Sequence, residues 1–374
     1  MKSDKLGIYI HIPFCIKKCN YCDFCSFPDR GGALTSAYVA ELIKRINAFS
    51  RQYGKRVVDT VYFGGGTPTL LSSDDFSKIL CALREDFDIL EEAEITAECN
   101  PASIDEEGLC SLRALGINRL SIGLQSANDN ELLLLGRLHS FKEFCDTFYS
   151  ARRAGFDNIS VDLMYGIPEQ TKESFLKSLQ YVVSLEPAHI SVYGLIIEEN
   201  TVFGKIKNSL DLPNEDEEAD MYFQACSFLR DNAYKHYEIS NFSKDGFQSL
   251  HNLRYWKARE YIGVGLSAYS YFNGSRYGNS SMLSEYLMSY EKNRACEKID
   301  KTAELFEYAM LHLRLSSGIC LSEYKARFGE DFLKPRQELI EAYEKAGYLK
   351  CDGTCVALTE KGFYVSNTIL ADLI

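Results

Sequence analysis

Residues 11–22 read HIPFCIKKCNYC and place Cys15, Cys19 and Cys22 in one short loop. The spacing, Cys-x-x-x-Cys-x-x-Cys, offers three thiolates to three irons of a cubane iron–sulfur cluster. A fourth iron is left without a protein ligand, whereas clusters that only carry electrons are usually held by four cysteines. The open iron is the useful feature, as an open position separates catalytic from closed structural metal sites. A zinc knuckle and a set of unrelated thiols are the competing readings of the same spacing.

Outward from this loop the chain alternates apolar runs with amphipathic segments. GIYIHI (7–12) precedes it. SAYVAELIKRINAF follows, with Tyr38, Leu42, Ile46 and Phe49 at helical spacing. DTVYF (59–63) leads through a glycine loop into a helix from about Ser73. EITAE (94–98) precedes SIDEEGLCSLRALG, where Ser103 and Glu106 read as a capping box and Gly116 as the stop. NRLSIGL (118–124) precedes ANDNELLLLG and a second capped helix, Ser140 with Glu143. NISVDLMYG (158–166), TKESFLKSLQYVVSL and HISVYGL (189–195) complete the series. Six strand–helix alternations predict an α/β fold with a parallel sheet, either open or barrel-like. In closed (β/α)8 barrels the active site gathers at the C-terminal ends of the strands. Here Gly64, Gly65, Gly66 and Thr67 follow the second strand, Glu98 and Gln125 end the third and fourth, and Asp162 lies late in the fifth.

Together the cysteine loop, GGGTPT (64–69), ECNP, IGLQS, LGRLHS and VDLMYGIP resemble the radical S-adenosylmethionine superfamily, in the branch containing oxygen-independent coproporphyrinogen III oxidase. The resemblance implies a partial (β/α)6 TIM-like barrel and a 4Fe-4S cluster whose free iron chelates S-adenosylmethionine. On this resemblance the cofactor contacts are Tyr9, Tyr21, Gly65, Gly66, Thr67, Glu98, Gln125, Arg137 and Asp162. Glu98 suits the cationic amino group, Arg137 the carboxylate, and Gln125 and Asp162 the ribose. Singly, each has a plain alternative as a cap, an ion pair or core.

Within the branch, HNLRYW (251–256) resembles the His-Asn-x-x-Tyr-Trp motif of the HemW family of heme chaperones. That likeness implies a heme site at His251, Asn252, Tyr255 and Trp256, with His251 as the axial ligand and the aromatics stacked on the porphyrin. A loop closing the barrel, with His251 merely hydrogen bonded, is the structural alternative. The decarboxylating oxidases carry a further cysteine two places after the third; here Phe24 occupies that place and the extra thiol is Cys25. Only fourteen residues precede Cys15, where those oxidases carry a long extension. The expectation is therefore a heme chaperone delivering heme to apo-hemoproteins such as respiratory-chain enzymes, with cluster and cofactor regulating transfer. Radical decarboxylation of porphyrinogen propionates is the alternative.

The chain has 374 residues, 46% hydrophobic and 25% charged, enough for a large core and a smaller appended domain. A net charge of -12 without a dense basic run argues against nucleic acid. The run NEDEEAD (214–220) reads as a solvated helix start. No apolar stretch spans a bilayer and the N-terminus lacks a secretory pattern, so a cytoplasmic protein with at most peripheral membrane contact is expected. Its thirteen cysteines are then reduced, with Cys81, Cys110 and Cys145 expected as small core hydrophobes. A homodimer is a further expectation. The expected domains are a barrel over 1–200, an extension carrying HNLRYW over 201–298, and a mainly helical, winged-helix-like unit over 299–374. The last contains a hairpin, YLKC and CVAL, turned at DGT (352–354).

Overall fold

Period-two alternation explains the architecture. In β1 (Lys5–Ile12), Leu6, Ile8, Ile10 and Ile12 are all fully buried in the main core. The intervening Gly7, Tyr9 and His11 point to the opposite face. Burying each such aliphatic side chain contributes about 1.5–3 kcal/mol. The same split recurs in β4 (Arg119–Gln125): Leu120, Ile122 and Leu124 are core, while Arg119, Ser121 and Gly123 face inward. In β5 (Asn158–Tyr165), Ile159, Val161 and Leu163 are core and Ser160 and Asp162 face inward. The outer face is thus apolar and covered by helices, and the inner face is polar. A parallel sheet with a polar concave face leaves room for a ligand.

The computed structural model describes residues 5–29, 32–288 and 295–374; the first four residues of the N-terminal segment lie outside these. β1, β2 (Val57–Gly65), β3 (Asp88–Cys99), β4, β5 and β6 (His189–Gly194) pair in chain order, all parallel. Between them run α1 (Ala33–Tyr53), α2 (Ser73–Asp86), α3 (Glu106–Ala114), α4 (Asp129–Leu134), α5 (Phe141–Arg153) and α6 (Lys172–Ser184). The six predicted strand–helix alternations are present, and the sheet order is linear, as in a partial barrel.

After α7 (Glu215–Asp231), β7 (Lys235–Glu238) and β8 (Asn241–Ser243) extend the β6 edge antiparallel. The chain then forms α8 (Leu250–Trp256) and returns to the other edge. There β9 (Tyr261–Val264) pairs parallel with β1, followed by β10 (Tyr269–Phe272), β11 (Ser275–Gly278) and β12 (Ala295–Lys298). The C-terminal unit contains α9 (Lys301–His312), α10 (Leu321–Phe328), α11 (Gln337–Lys345), α12 (Glu360–Tyr364) and α13 (Ser366–Leu373). A small sheet orders β13 (Ile319–Cys320), β15 (Cys355–Leu358) and β14 (Leu349–Cys351), the predicted hairpin with one extra strand.

Two sequence expectations need correction. α3 is capped by Asp105, whose side chain accepts from Gly108 N. Ser103 Oγ instead bonds Thr69 Oγ1 (2.7 Å) and the Asn100 carbonyl (2.6 Å), so it is not half of a capping box. Cys81 and Cys110 are exposed and Cys145 half-buried; the buried thiols beyond the loop are Cys99 and Cys226. The HNLRYW segment, a loop in the structural alternative, is a helix capped by Ser249. The Ser140–Glu143 capping box is present.

Candidate functional site

The cysteine loop leaves β1 at the C-terminal mouth of the sheet. It is pinned where it could drift: Asn20 N donates to Leu135 O (2.9 Å), Asn20 Nδ2 to Leu134 O (2.8 Å), and Phe203 N to Asn20 O (2.9 Å). His11 Nε2 pairs with Cys25 O at 2.8 Å, and burial lowers the His11 pKa, so the ring stays neutral. Cys15, Cys19 and Cys22 are free thiols lining one cavity of about 370 Å³. Cys15 Sγ accepts from Thr67 Oγ1 (3.8 Å) and Cys19 Sγ from Arg137 Nη1 (3.6 Å), both suited to thiolates. Burial pushes the Cys22 thiol up. Among the described residues, no three His, Cys, Asp or Glu side chains converge as a mononuclear metal site requires.

The glycine loop is tied to the cysteine loop by main-chain bonds: Gly66 N donates to Ile12 O (2.8 Å) and Thr67 N to Phe14 O (2.7 Å). A Cβ on Gly66 would lie 2.6 Å from Phe14 O and 3.0 Å from Ile12 O, so only glycine permits this approach. Glu98 accepts from Tyr62 Oη (2.9 Å) and Gly65 N (3.0 Å). Its pKa rises to about 7, chiefly from desolvation, against the lowering effect of those two hydrogen bonds. Asp162 is also raised, first by burial, and accepts from Ser121 Oγ (3.3 Å) and Ser160 Oγ (3.5 Å). Arg137 donates to Asn100 Oδ1 (2.9 Å) and the Gly123 carbonyl. Gln125 sits past a register shift at φ 74° and faces the cavity.

Gly65, Gly66, Thr67, Glu98, Gln125, Arg137, Asp162 and Tyr21 therefore line the same cavity as the three cysteines. Tyr9 does not: its hydroxyl bonds His11 Nδ1 (3.0 Å) and its ring stacks on Tyr62, one layer back. Three thiols, a main-chain glycine edge, a carboxyl group and a guanidinium around one cavity fit a cubane and an amino-acid sulfonium compound. When bound, the pair supplies one-electron chemistry. The chain's own residues provide ligation and a fixed orientation.

α8 plugs the other end. Glu94 on β3 accepts from Leu250 N and His251 N, both at 3.0 Å, and so caps this short helix from inside the sheet. Arg254 donates to Lys5 O (3.1 Å), Glu260 O (3.0 Å) and the Asp59 carboxylate. His251 is wholly buried; Nδ1 pairs with Thr60 Oγ1 (2.9 Å) and Nε2 with Tyr255 Oη (2.8 Å). Burial first, then the Arg254 and Arg119 charges, lower its pKa to about 3, so the ring is neutral. Asn252 reaches the cavity, whereas Trp256 packs beside Tyr237, Leu253 and Leu315 away from it. Glu94, Arg119 and Arg254 are residues of this region that sequence patterns missed, and being buried charges in strands and a short helix was their only signal; Asn100, just past β3, was missed as well.

Comparison with known proteins agrees with this geometry. A family profile of the radical SAM superfamily matches residues 9–182, and one of the HemN C-terminal domain matches 299–365. The heme chaperone HemW of Lactococcus lactis is 35% identical over 365 residues, 96% of this chain and 95% of that protein. The chain belongs to the HemW family of radical SAM proteins. Escherichia coli HemW is 34% identical over 382 residues, covering 99% and 98% of the two chains. The structure of E. coli coproporphyrinogen III oxidase, HemN, a radical SAM enzyme, superposes with a TM-score of 0.86 at 25% identity over 99% of this chain and 90% of that one. The family match extends through α8 and the C-terminal unit, so HemW members share the whole frame and not the barrel alone. Among the described residues no helix is long and apolar enough to cross a membrane.

Proposed function

We propose that this protein binds heme and passes it to apo-hemoproteins such as respiratory-chain enzymes, in the cytoplasm, with at most peripheral membrane contact and acting as a homodimer. A 4Fe-4S cluster on Cys15, Cys19 and Cys22 and S-adenosylmethionine held by Tyr21, Gly65, Gly66, Thr67, Glu98, Gln125, Arg137 and Asp162 regulate transfer; Tyr9 supports this shell from behind. The carrying observation is the full-length match to heme chaperones joined to the HNLRYW helix, whose Asn252 lines the cysteine-rimmed cavity. Heme docks at the 251–256 region through His251, Asn252, Tyr255 and Trp256. A neutral imidazole is the ligating form, and the low pKa of His251 supports it. To take iron, Nε2 must exchange its Tyr255 hydroxyl partner for the metal, so docking includes a movement of α8.

The test is anaerobic reconstitution, heme loading and transfer to an apo-cytochrome, run beside a coproporphyrinogen turnover assay. Transfer without turnover supports a chaperone. Turnover without transfer replaces it by the oxidase reading.

A further inference from the structure

Arg119 opens β4 and turns into the concave face, where it is 2% exposed yet lines the cavity. Among the described residues its Nε has no hydrogen-bond partner, although the Glu94 and Asp162 charges act on the guanidinium through space. Nearby carboxylates are committed elsewhere. Glu94 is spent on the α8 N-terminus, Asp162 on two serine hydroxyls, and Glu98 on Tyr62 and Gly65. Arg137, the other cavity arginine, donates to Cys19, Asn100 and Gly123. A buried guanidinium nitrogen without an acceptor is costly, and its planar fork matches a carboxylate.

We infer that Arg119 is a carboxylate-binding site at the base of the cavity, filled by a propionate of the heme. This rests on the heme reading above and adds where a porphyrin acid group is held. Arg119 pairs in register with Thr96, two residues before Glu98. It therefore lies about 7 Å deeper than the Glu98 layer, at 3.3 Å per residue. Arg137, tied to the cysteine loop through Cys19, is the arginine placed for the S-adenosylmethionine carboxylate, which leaves Arg119 for the acid group of a second ligand. Asn252 and Tyr193 line the same cavity, so the HNLRYW helix and Arg119 face one compartment.

The reconstituted full-length protein is titrated with heme, with heme dimethyl ester and with S-adenosylmethionine, comparing wild type, Arg119→Lys and Arg119→Met. For the wild type, esterification weakens binding about tenfold or more, the loss of one charge-assisted pair. Arg119→Met binds both porphyrins equally and weakly, Arg119→Lys recovers part of the difference, and S-adenosylmethionine affinity is unchanged in all three. Equal heme affinity in wild type and Arg119→Met overturns the inference, as does a variant that loses S-adenosylmethionine instead. A wild type that binds neither porphyrin refutes the heme reading itself. Thermal unfolding without heme gives a readout independent of it. Arg119→Lys keeps the charge that Glu94 and Asp162 face and melts with wild type, so its intermediate heme affinity supports the inference, whereas a fall in its melting temperature that tracks the heme loss overturns it.

Discussion

With S-adenosylmethionine seated as proposed, Glu98 links folding and cofactor binding with opposite signs of pH dependence. Its pKa moves from an ordinary 4.5 to about 7 because the cavity wall desolvates the carboxylate more than Tyr62 and Gly65 stabilise it. The folded apo-protein thus holds a proton that the unfolded chain releases. That proton's contribution to stability is fully present below about pH 4.5 and drains away as pH rises through 7. The rise corresponds to at most about 3 kcal/mol, and less in proportion as cavity water screens the group.

Cofactor binding runs the other way. A cationic amino group needs the ionised carboxylate, so affinity for S-adenosylmethionine climbs as pH approaches 7 and levels off above it, by up to about tenfold per pH unit on the rising limb. Glu98→Gln keeps the Tyr62 and Gly65 geometry but cannot ionise. Denaturant unfolding of apo wild type and Glu98→Gln from about pH 5 to about pH 8 measures the first effect, and calorimetric titration with S-adenosylmethionine on reconstituted protein the second. The variant's stability profile should be flatter, and its binding weak and pH-independent. Parallel stability profiles for the two proteins would refute the reasoning, since another group would then carry the proton.

Gly66→Ala should abolish iron retention in anaerobic iron analysis while leaving the far-ultraviolet dichroism unchanged, because the new Cβ meets the Phe14 and Ile12 carbonyls that seat the cysteine loop. Cys25→Ser should retain about four irons per chain, as three thiolates suffice for an open cubane, whereas Cys19→Ser should not; iron and sulfide assays decide both. His251→Ala leaves the Thr60 and Tyr255 hydroxyls without their shared partner inside the core and should cost about 2–4 kcal/mol. Lost heme binding in that variant therefore counts for His251 as the ligand only when His251→Gln, a milder change, loses it as well, and denaturant midpoints with heme titrations separate the two effects.

The six-strand alternation was legible because each strand follows one rule on its outer face: Leu6, Ile8, Ile10 and Ile12 alternate with Gly7, Tyr9 and His11 on the concave side. The cysteine and glycine loops were legible because their spacing is local. What stayed hidden was non-local. β9 joins β1 from more than two hundred residues away, and four residues of YIGV do not announce a parallel partner. Ser103 looked like a cap because the serine-to-glutamate spacing is local, yet a second hydroxyl, on Thr69, claims it across the sheet.

HNLRYW shows the same limit with functional weight. In one dimension His251 is a histidine close to two aromatics, which suggests an axial ligand beside a stacking platform. In three dimensions it is the hub of Thr60, Tyr255, Tyr9 and Tyr62 inside the barrel, with Glu94 holding its backbone and Arg254 locking its helix to β1 and β2. The motif's spacing thus serves two ends of one short helix. Asn252 looks up into the cavity, while His251 and Arg254 fasten the helix to the sheet. The cavity-facing Asn252 and the buried His251 sit side by side on one seven-residue helix, so a substitution that unseats the helix disturbs the cavity wall and the His251 hydrogen bonds together.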